Sequence, residues 1–331
     1  MFKRRLGRSD LEVSAMGLGC WAIGGPWEWM EKDGSKSPAG WSQVDDAESI
    51  RAIHCALDAG INFFDTAANY GCGHSERILA KALTKRRDKV IVATKFGYIV
   101  DEKKKIVSET EDVVPRIRQE CEDSLRRLNA DYIDLYQFHV DEYPVDKAGE
   151  VRDVLETLAD EGKIRWYGWS TDNPEGARVF AQGQHCTAIQ HWLNMIGGVT
   201  EILSVCDEYD QASVNRSPLA MGALTGKFNP DSTFPADDVR HSWDFHRERP
   251  TLNLQRVEAV RKYLAEIGDP RTQAQLALAW IWTRNSRTIP IPGFKSVAQV
   301  KENIAAMDFG LLTEEQMKKI DEIFGRAPVT E

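Results

Sequence analysis

Eight short apolar runs, alternating for most of the chain with segments of helical periodicity, constrain the fold more than any other feature. The runs cover 14–19, 61–65, 90–95, 132–139, 164–170, 186–190, 212–216 and 288–292. Helical patterns lie between them at 47–60, 75–84, 114–128, 150–162, 175–183 and 200–210. A helix that follows a strand returns the chain to the same end of the sheet, so this alternation predicts parallel strands. Eight strands with no second core-sized unit predict one closed (β/α)8 barrel over residues 1–331. Gly60 and Gly162 fall just past periodic apolar segments, where a helix commonly ends on a left-handed residue.

Three segments stand outside the repeat. Residues 2–13 carry a turn signal at Gly7–Arg8–Ser9–Asp10 and predict a hairpin over the barrel floor. Residues 22–45 form a long loop after the first strand, rich in Gly, Pro and Trp, and 224–252 form another after the seventh. Such βα loops are expected to build the pocket. The first is read either as a pocket lid or as a contact to another subunit, so the oligomeric state is left open. The tail 311–331 carries one more amphipathic helix, expected to begin at a capping box of the Thr-x-x-Glu kind. The run of one Glu and three Lys at 102–105 reads as a solvated turn.

Four residues far apart in sequence lie at or just after the ends of these strands: Asp65, Tyr70, Lys95 and His139. Parallel strands bring their C-terminal ends to one face, so the four predict the floor of one site. A phenol between an ammonium and an imidazole is a proton donor whose pKa can be tuned. That chemistry suits protonation of a carbonyl oxygen while a hydride reaches its carbon.

Composition narrows the alternatives. Of 331 residues, 42% are hydrophobic and 28% charged, enough for a sizeable soluble core. A net charge of −9 argues against nucleic acid as a partner. The six cysteines form no C-x-x-C pair and are read as reduced thiols of a cytoplasmic protein. No apolar run approaches the roughly 18 residues of a membrane span. The basic start has no apolar segment after it, so it is not read as a signal peptide.

The motifs FFDTAANYG, VATKFG, DLYQFHV, GWST, SPLAMGALTGK and IPIPGFKS, in this order, resemble the aldo-keto reductase family across nearly the whole chain. GCWAIGGPWEW and the segment after it look most like the bacterial branch, the general-stress-protein-like members. The resemblance implies an NADPH-dependent reductase of aldehydes and ketones, plausibly for aldehyde detoxification. Tyr70 would be the general acid, Lys95 would lower its pKa, Asp65 would hold Lys95, and His139 would bind the carbonyl oxygen. For NADPH it implies that Ser170, Thr171 and Gln190 contact the carboxamide, Thr171 standing where Asn is frequent. The loop supplying Ser217, Leu219, Gly222, Leu224 and Lys227 suits a pyrophosphate. Gly293, Lys295, Ser296 and Gln299 would take the 2′-phosphate, with Gln299 where Arg is common, and Glu302 and Asn303 the adenine. Arg216 falls where many relatives carry a stacking aromatic. A planar cation there is expected to stack on the nicotinamide and to favour release of the oxidised form.

The substrate, a small carbonyl compound, is expected against Trp21, Trp27, Trp29, Tyr98 and Trp192. Cys72 and His74 form a C-x-H pair with no further ligand cluster, so no metal is expected. The absence of G-x-G-x-x-G after a strand argues against a Rossmann dehydrogenase. Two other readings compete. A metal-dependent hydrolase on the same barrel would need clustered ligands at strand ends, whereas the seven histidines are scattered. A cofactor-sensing subunit would keep the four residues but turn over very slowly.

Overall fold

Strands β1 (Leu18–Gly19), β2 (Phe63–Asp65), β3 (Ile91–Phe96), β4 (Ile133–Phe138), β5 (Ile164–Ser170), β6 (Cys186–Trp192), β7 (Ala212–Arg216) and β8 (Thr288–Pro290) lie side by side in chain order. Every neighbouring pair is parallel. The structure, a computed structural model, describes residues 2–326. The last strand meets the first: Gly17 and Gly19 donate to the carbonyls of Pro290 and Pro292, each at 3.0 Å, and Gly19 bridges Gly293. The sheet is therefore a closed eight-stranded barrel. Pro290 and Pro292 can accept from β1 but have no N–H to return, which keeps this seam short.

Two expected strands are shorter than their apolar runs. The first run, 14–19, splits: Ser14 ends a hairpin strand, Glu12–Ser14, and only Leu18–Gly19 enters the barrel. The eighth, 288–292, stops at Pro290. Glu12–Ser14 pairs antiparallel with Lys3–Arg5, the expected N-terminal hairpin. Leu6, Leu11 and Val13 cluster with Phe63, Ile91, Leu135, Val214 and Ile289 from the barrel strands, so the hairpin plugs the interior. A second, larger core lies between strands and helices.

Helices α1 (Asp46–Asp58), α2 (His74–Ala82), α3 (Ile117–Leu128), α4 (Ala148–Asp160), α5 (Pro174–Ala181) and α6 (Glu201–Glu208) occupy the expected segments. Gly60 and Gly162 take left-handed φ of 90° and 73° just past α1 and α4. Then α7 (Glu248–Glu266) begins inside the expected loop 224–252. Pro250 sits in its first turn, where an N–H has no helical acceptor to lose. α8 (Gln273–Arg284) escaped the periodicity reading because nearly every one of its residues is buried. α9 (Val297–Ala305) and α10 (Glu314–Phe324) complete the chain. The capping box of α10 joins Thr313 to Gln316, where glutamate was expected; an amide oxygen accepts the N-cap N–H as a carboxylate would.

The loop after β1 is not irregular. Glu28–Met30 pairs with Lys36–Pro38 and, from the loop after β3, with Ile106–Ser108, which pairs in turn with Ile99–Asp101. This four-stranded sheet makes a rim over the C-terminal face. The run 102–105 is its turn, yet only in part solvated: Lys105 Nζ reaches the Gly71 carbonyl at 2.6 Å and Glu102 pairs with Arg77 and Arg127. Among the described residues no helix is long and apolar enough to cross a membrane. All six cysteines are free thiols.

Candidate active site

Asp65 ends β2, Lys95 is the penultimate residue of β3, and His139 follows β4 directly. Parallel register sets Lys95 opposite Gln137, and so beside the end of β4. Tyr70 stands in the turn after β2. Lys95 Nζ donates to Asp65 Oδ1 at 2.5 Å, to the Thr66 carbonyl at 2.8 Å and to Tyr70 Oη at 3.1 Å. All three ammonium donors are used, which is how a fully buried lysine escapes an uncompensated desolvation cost. Asp65 Oδ2 accepts from Gln137 at 3.0 Å and Gln190 at 2.8 Å. The four residues expected to meet do meet. Gln137, a further brace on Asp65, carried no sequence signal because it reads as one more strand residue.

Electrostatics follow from burial. The half-buried Tyr70 phenol is pushed above its ordinary value by desolvation, with Lys95 pulling the other way. Lowering by Lys95 therefore does not win in this state, contrary to the sequence reading, and the resting phenol keeps its proton. Burial opposes the Lys95 ammonium, but Asp65 and Tyr70 outweigh it and raise its pKa. Burial, and then the positive charges of Lys95 and Arg216, hold His139 well below the ordinary imidazole value. It is a neutral ring whose Nδ1 is enclosed without a partner. Its ring lies edge-on to Tyr70, centroids 5.9 Å apart.

A cavity of about 610 Å³ opens above this floor. Asp65, Tyr70 and His139 line it with Ser170, Gln190 and Arg216, and so do Gly293, Gln299, Asn303 and a charged group of Lys227, Lys295 and Glu302. Ser217, Leu219 and Gly222 line it too. Ser217, Ala220 and Met221 hold positive φ of 51°, 47° and 54° without being glycines. Such strain persists only where surrounding structure imposes it, and it clusters at ligand sites.

Five expected residues lie off the cavity wall, the first being Lys95, fully buried behind Tyr70 and Asp65. Thr171 donates to the Asp141 carbonyl at 3.0 Å. Leu224 is wholly buried in the core. Ser296 caps α9, accepting from the Gln299 amide. Trp192 packs its ring beside Gly197 and turns its backbone N–H to Asp172. Trp21, Trp27, Trp29 and Tyr98 do line the cavity, joined by Trp41. Trp21 stacks near Tyr70, centroids 6.0 Å apart, and Trp41 meets Trp21 edge-on at 5.6 Å.

Arg240 is the cation that sequence reading missed. It lines the cavity, pairs with Asp238 and lies 4.2 Å over the Trp41 ring. It comes from an irregular loop, so no periodicity marked it. Burial, then Arg240, lowers the pKa of Lys227; burial, with Arg240 again adverse, lowers that of Lys295. Three cations that repel one another around a cavity are relieved by an anion. Arg216 presents no bare cation: it pairs with Asp172 at 2.5 Å and Asp141 at 3.2 Å. Cys72 is buried beside Trp27, with burial pushing its thiol up to about 11. Among the described residues no His, Cys, Asp and Glu cluster could hold a metal ion.

The comparisons agree with this geometry. The family model described as the Aldo/keto reductase family matches residues 15–324. The chain is 33% identical over 320 residues to aldo-keto reductase YhdN of Bacillus subtilis (strain 168), covering 95% of this chain and 91% of that protein. It is 32% identical over 323 residues to an NADH-specific methylglyoxal reductase of Escherichia coli (strain K12), covering 94% and 95%. Among solved structures, the glycerol dehydrogenase AKR11B4 from Gluconobacter oxydans superposes with a TM-score of 0.82 at 32% identity, covering 99% of this chain and 97% of that one. With a family model matched over nearly the whole chain and relatives above 30% identity covered almost end to end, the chain belongs to the aldo/keto reductase family.

Proposed function

We propose that the protein is an NADPH-dependent reductase of small aldehydes and ketones, with Tyr70 as general acid. The observation that carries this reading is the Lys95 Nζ to Tyr70 Oη contact of 3.1 Å at the cavity floor, beside a neutral His139. The residues fit a dinucleotide phosphate: the Lys227, Lys295 and Arg240 cluster answers its phosphates, and Ser170 and Gln190 offer polar groups near Tyr70. Gln190 uses its amide N–H on Asp65, and its Oε1, which accepts one long contact of 3.5 Å from the Ser170 hydroxyl, has a second lone pair to offer a carboxamide. The reduced nicotinamide supplies the hydride when bound.

Tyr70 gives its proton to the carbonyl oxygen. Lys95 is already hydrogen-bonded to that phenol oxygen and stabilises the phenolate as it forms. Asp65, braced by Gln137 and Gln190, keeps the ammonium in place. His139, neutral, donates from Nε2 to the same carbonyl oxygen. The indole-rich walls exclude water around the reacting groups.

The preference for NADPH over NADH rests on Lys295 and Arg240; the NADH-specific relative makes it a matter for measurement. The names of the methylglyoxal reductase and glycerol dehydrogenase relatives favour compact, oxygen-rich substrates, and a role in cytoplasmic aldehyde clearance accords with them. The test is turnover of a panel of aldehydes and ketones with NADPH and with NADH, followed at the reduced nicotinamide band. Tyr70→Phe should lose about 10²–10⁴-fold in kcat while binding NADPH nearly as before. Full activity in that variant would overturn the assignment. Tight NADPH binding by the unaltered protein without any turnover would favour a sensing subunit instead.

A further inference from the structure

Arg216 ends β7 and lines the cavity with Tyr70 and His139. Its positive charge acts on both, opposing the desolvation that raises Tyr70 and adding to the burial that lowers His139. Hydride must reach a carbon whose oxygen is bound between those two groups, and the phosphates belong with the cluster of Lys227, Lys295 and Arg240. Arg216 therefore stands beside the nicotinamide. A bare guanidinium there would repel the oxidised ring, which carries a positive charge that the reduced ring lacks.

The guanidinium is not bare. Asp172 and Asp141 both contact the same Nη2. Each is itself fixed: Asp172 Oδ1 accepts the Trp192 N–H at 2.7 Å, and Asp141 Oδ1 accepts the Asp172 N–H at 2.7 Å. The three charges come from the end of β7 and the loops after β4 and β5, so backbone anchors rather than chance set their spacing. Two carboxylates against one guanidinium leave an excess of negative charge. We propose that Asp141 and Asp172 set the preference between oxidised and reduced cofactor through Arg216, so that the site holds NADP+ at least as tightly as NADPH.

This inference rests on the nicotinamide reading above and deepens it. The two cofactor forms share every phosphate and differ by one charge on the ring. The ratio of their affinities therefore cancels the basic cluster of the site and reports the charge around Arg216. Dissociation constants for NADPH and NADP+ are to be measured by quenching of the protein's tryptophan fluorescence at low, fixed ionic strength. Asp172→Asn keeps the Oδ1 acceptor and removes the charge. It should raise Kd(NADP+)/Kd(NADPH) about fivefold, and half-exposed Asp141→Asn should raise it in the same direction by less. Added salt should shrink both effects. An unchanged ratio in both variants, each binding NADPH, overturns the inference alone. Failure of the unaltered protein to bind either form overturns the nicotinamide reading and this inference with it.

Discussion

Lys95 shows how one residue can be costly and indispensable together. It is fully buried and yet charged, because a carboxylate, a carbonyl and a phenol take its three donors. On the proposed mechanism its value to chemistry lies in what happens after Tyr70 loses a proton, since desolvation keeps the resting phenol protonated. The pH dependence follows with a definite sign. If Tyr70 is the proposed acid, reduction needs it protonated, and its folded pKa is raised above 10.0, so kcat/KM for reduction should hold level through neutral pH and fall only beyond the ordinary phenol range. His139, held well below 6.5, should contribute no inflection near that value. A pH profile with a step close to pH 6.5 would mean that His139 titrates as an exposed imidazole and would refute the buried, neutral ring.

At the scale of elements, the turn after β2 places Tyr70 by close approach of two backbones. Gly71 holds φ of 59°, and a Cβ there would stand 1.9 Å from the Gly24 carbonyl oxygen. No flexible side chain is available to yield. Gly71→Ala should therefore cost about 3 kcal/mol of stability and lower kcat, because relief of the clash must move Tyr70 or the first loop. Equal melting temperature and equal kcat in that variant would show that the turn relaxes freely. The rim sheet was invisible to periodicity for a different reason. Each of its strands is three residues long, and each finds its partner in another strand or in another loop. A three-residue run offers too little alternation to read, and the pairing energy is non-local. The helices read well because three or four turns of amphipathic pattern repeat the signal. α8 shows the limit, since a helix buried all round has no polar face to mark it.

For the whole molecule, burial of neutral imidazoles links folding to pH. His139 lies well below 6.5 in the folded state, and burial lowers His191 from 6.5 to about 3. Below pH 6.5 the unfolded chain takes up these protons while the folded chain does not. Stability should therefore be full above pH 6.5 and fall as pH drops through it, before most carboxylates titrate. Thermal unfolding at pH 7 and pH 5.5, about 1.5 units apart, should show a lower Tm in acid. Replacing His191 with Gln should reduce that difference, and an identical difference would assign the effect elsewhere. Barrel closure belongs to the same scale. The Pro-interrupted seam between β1 and β8 is short, and the hairpin plug of Leu6, Leu11 and Val13 supports the interior beneath it.

From the sequence alone came the strand count, the parallel alternation, the hairpin and the four residues on the cavity floor. These are local patterns, or residues tied to strand ends, and parallel topology carries strand ends to one face. The tertiary structure decided what depends on contacts between distant loops. It placed Arg240 among Lys227 and Lys295, turned Trp192 away from the cavity and brought Trp41 to its wall. It also decided two electrostatic balances, because charge and desolvation act through space rather than along the chain. The net shift of Tyr70 is upward although Lys95 touches it, and Arg216 is balanced by Asp141 and Asp172, residues whose positions in sequence give no sign of the pairing.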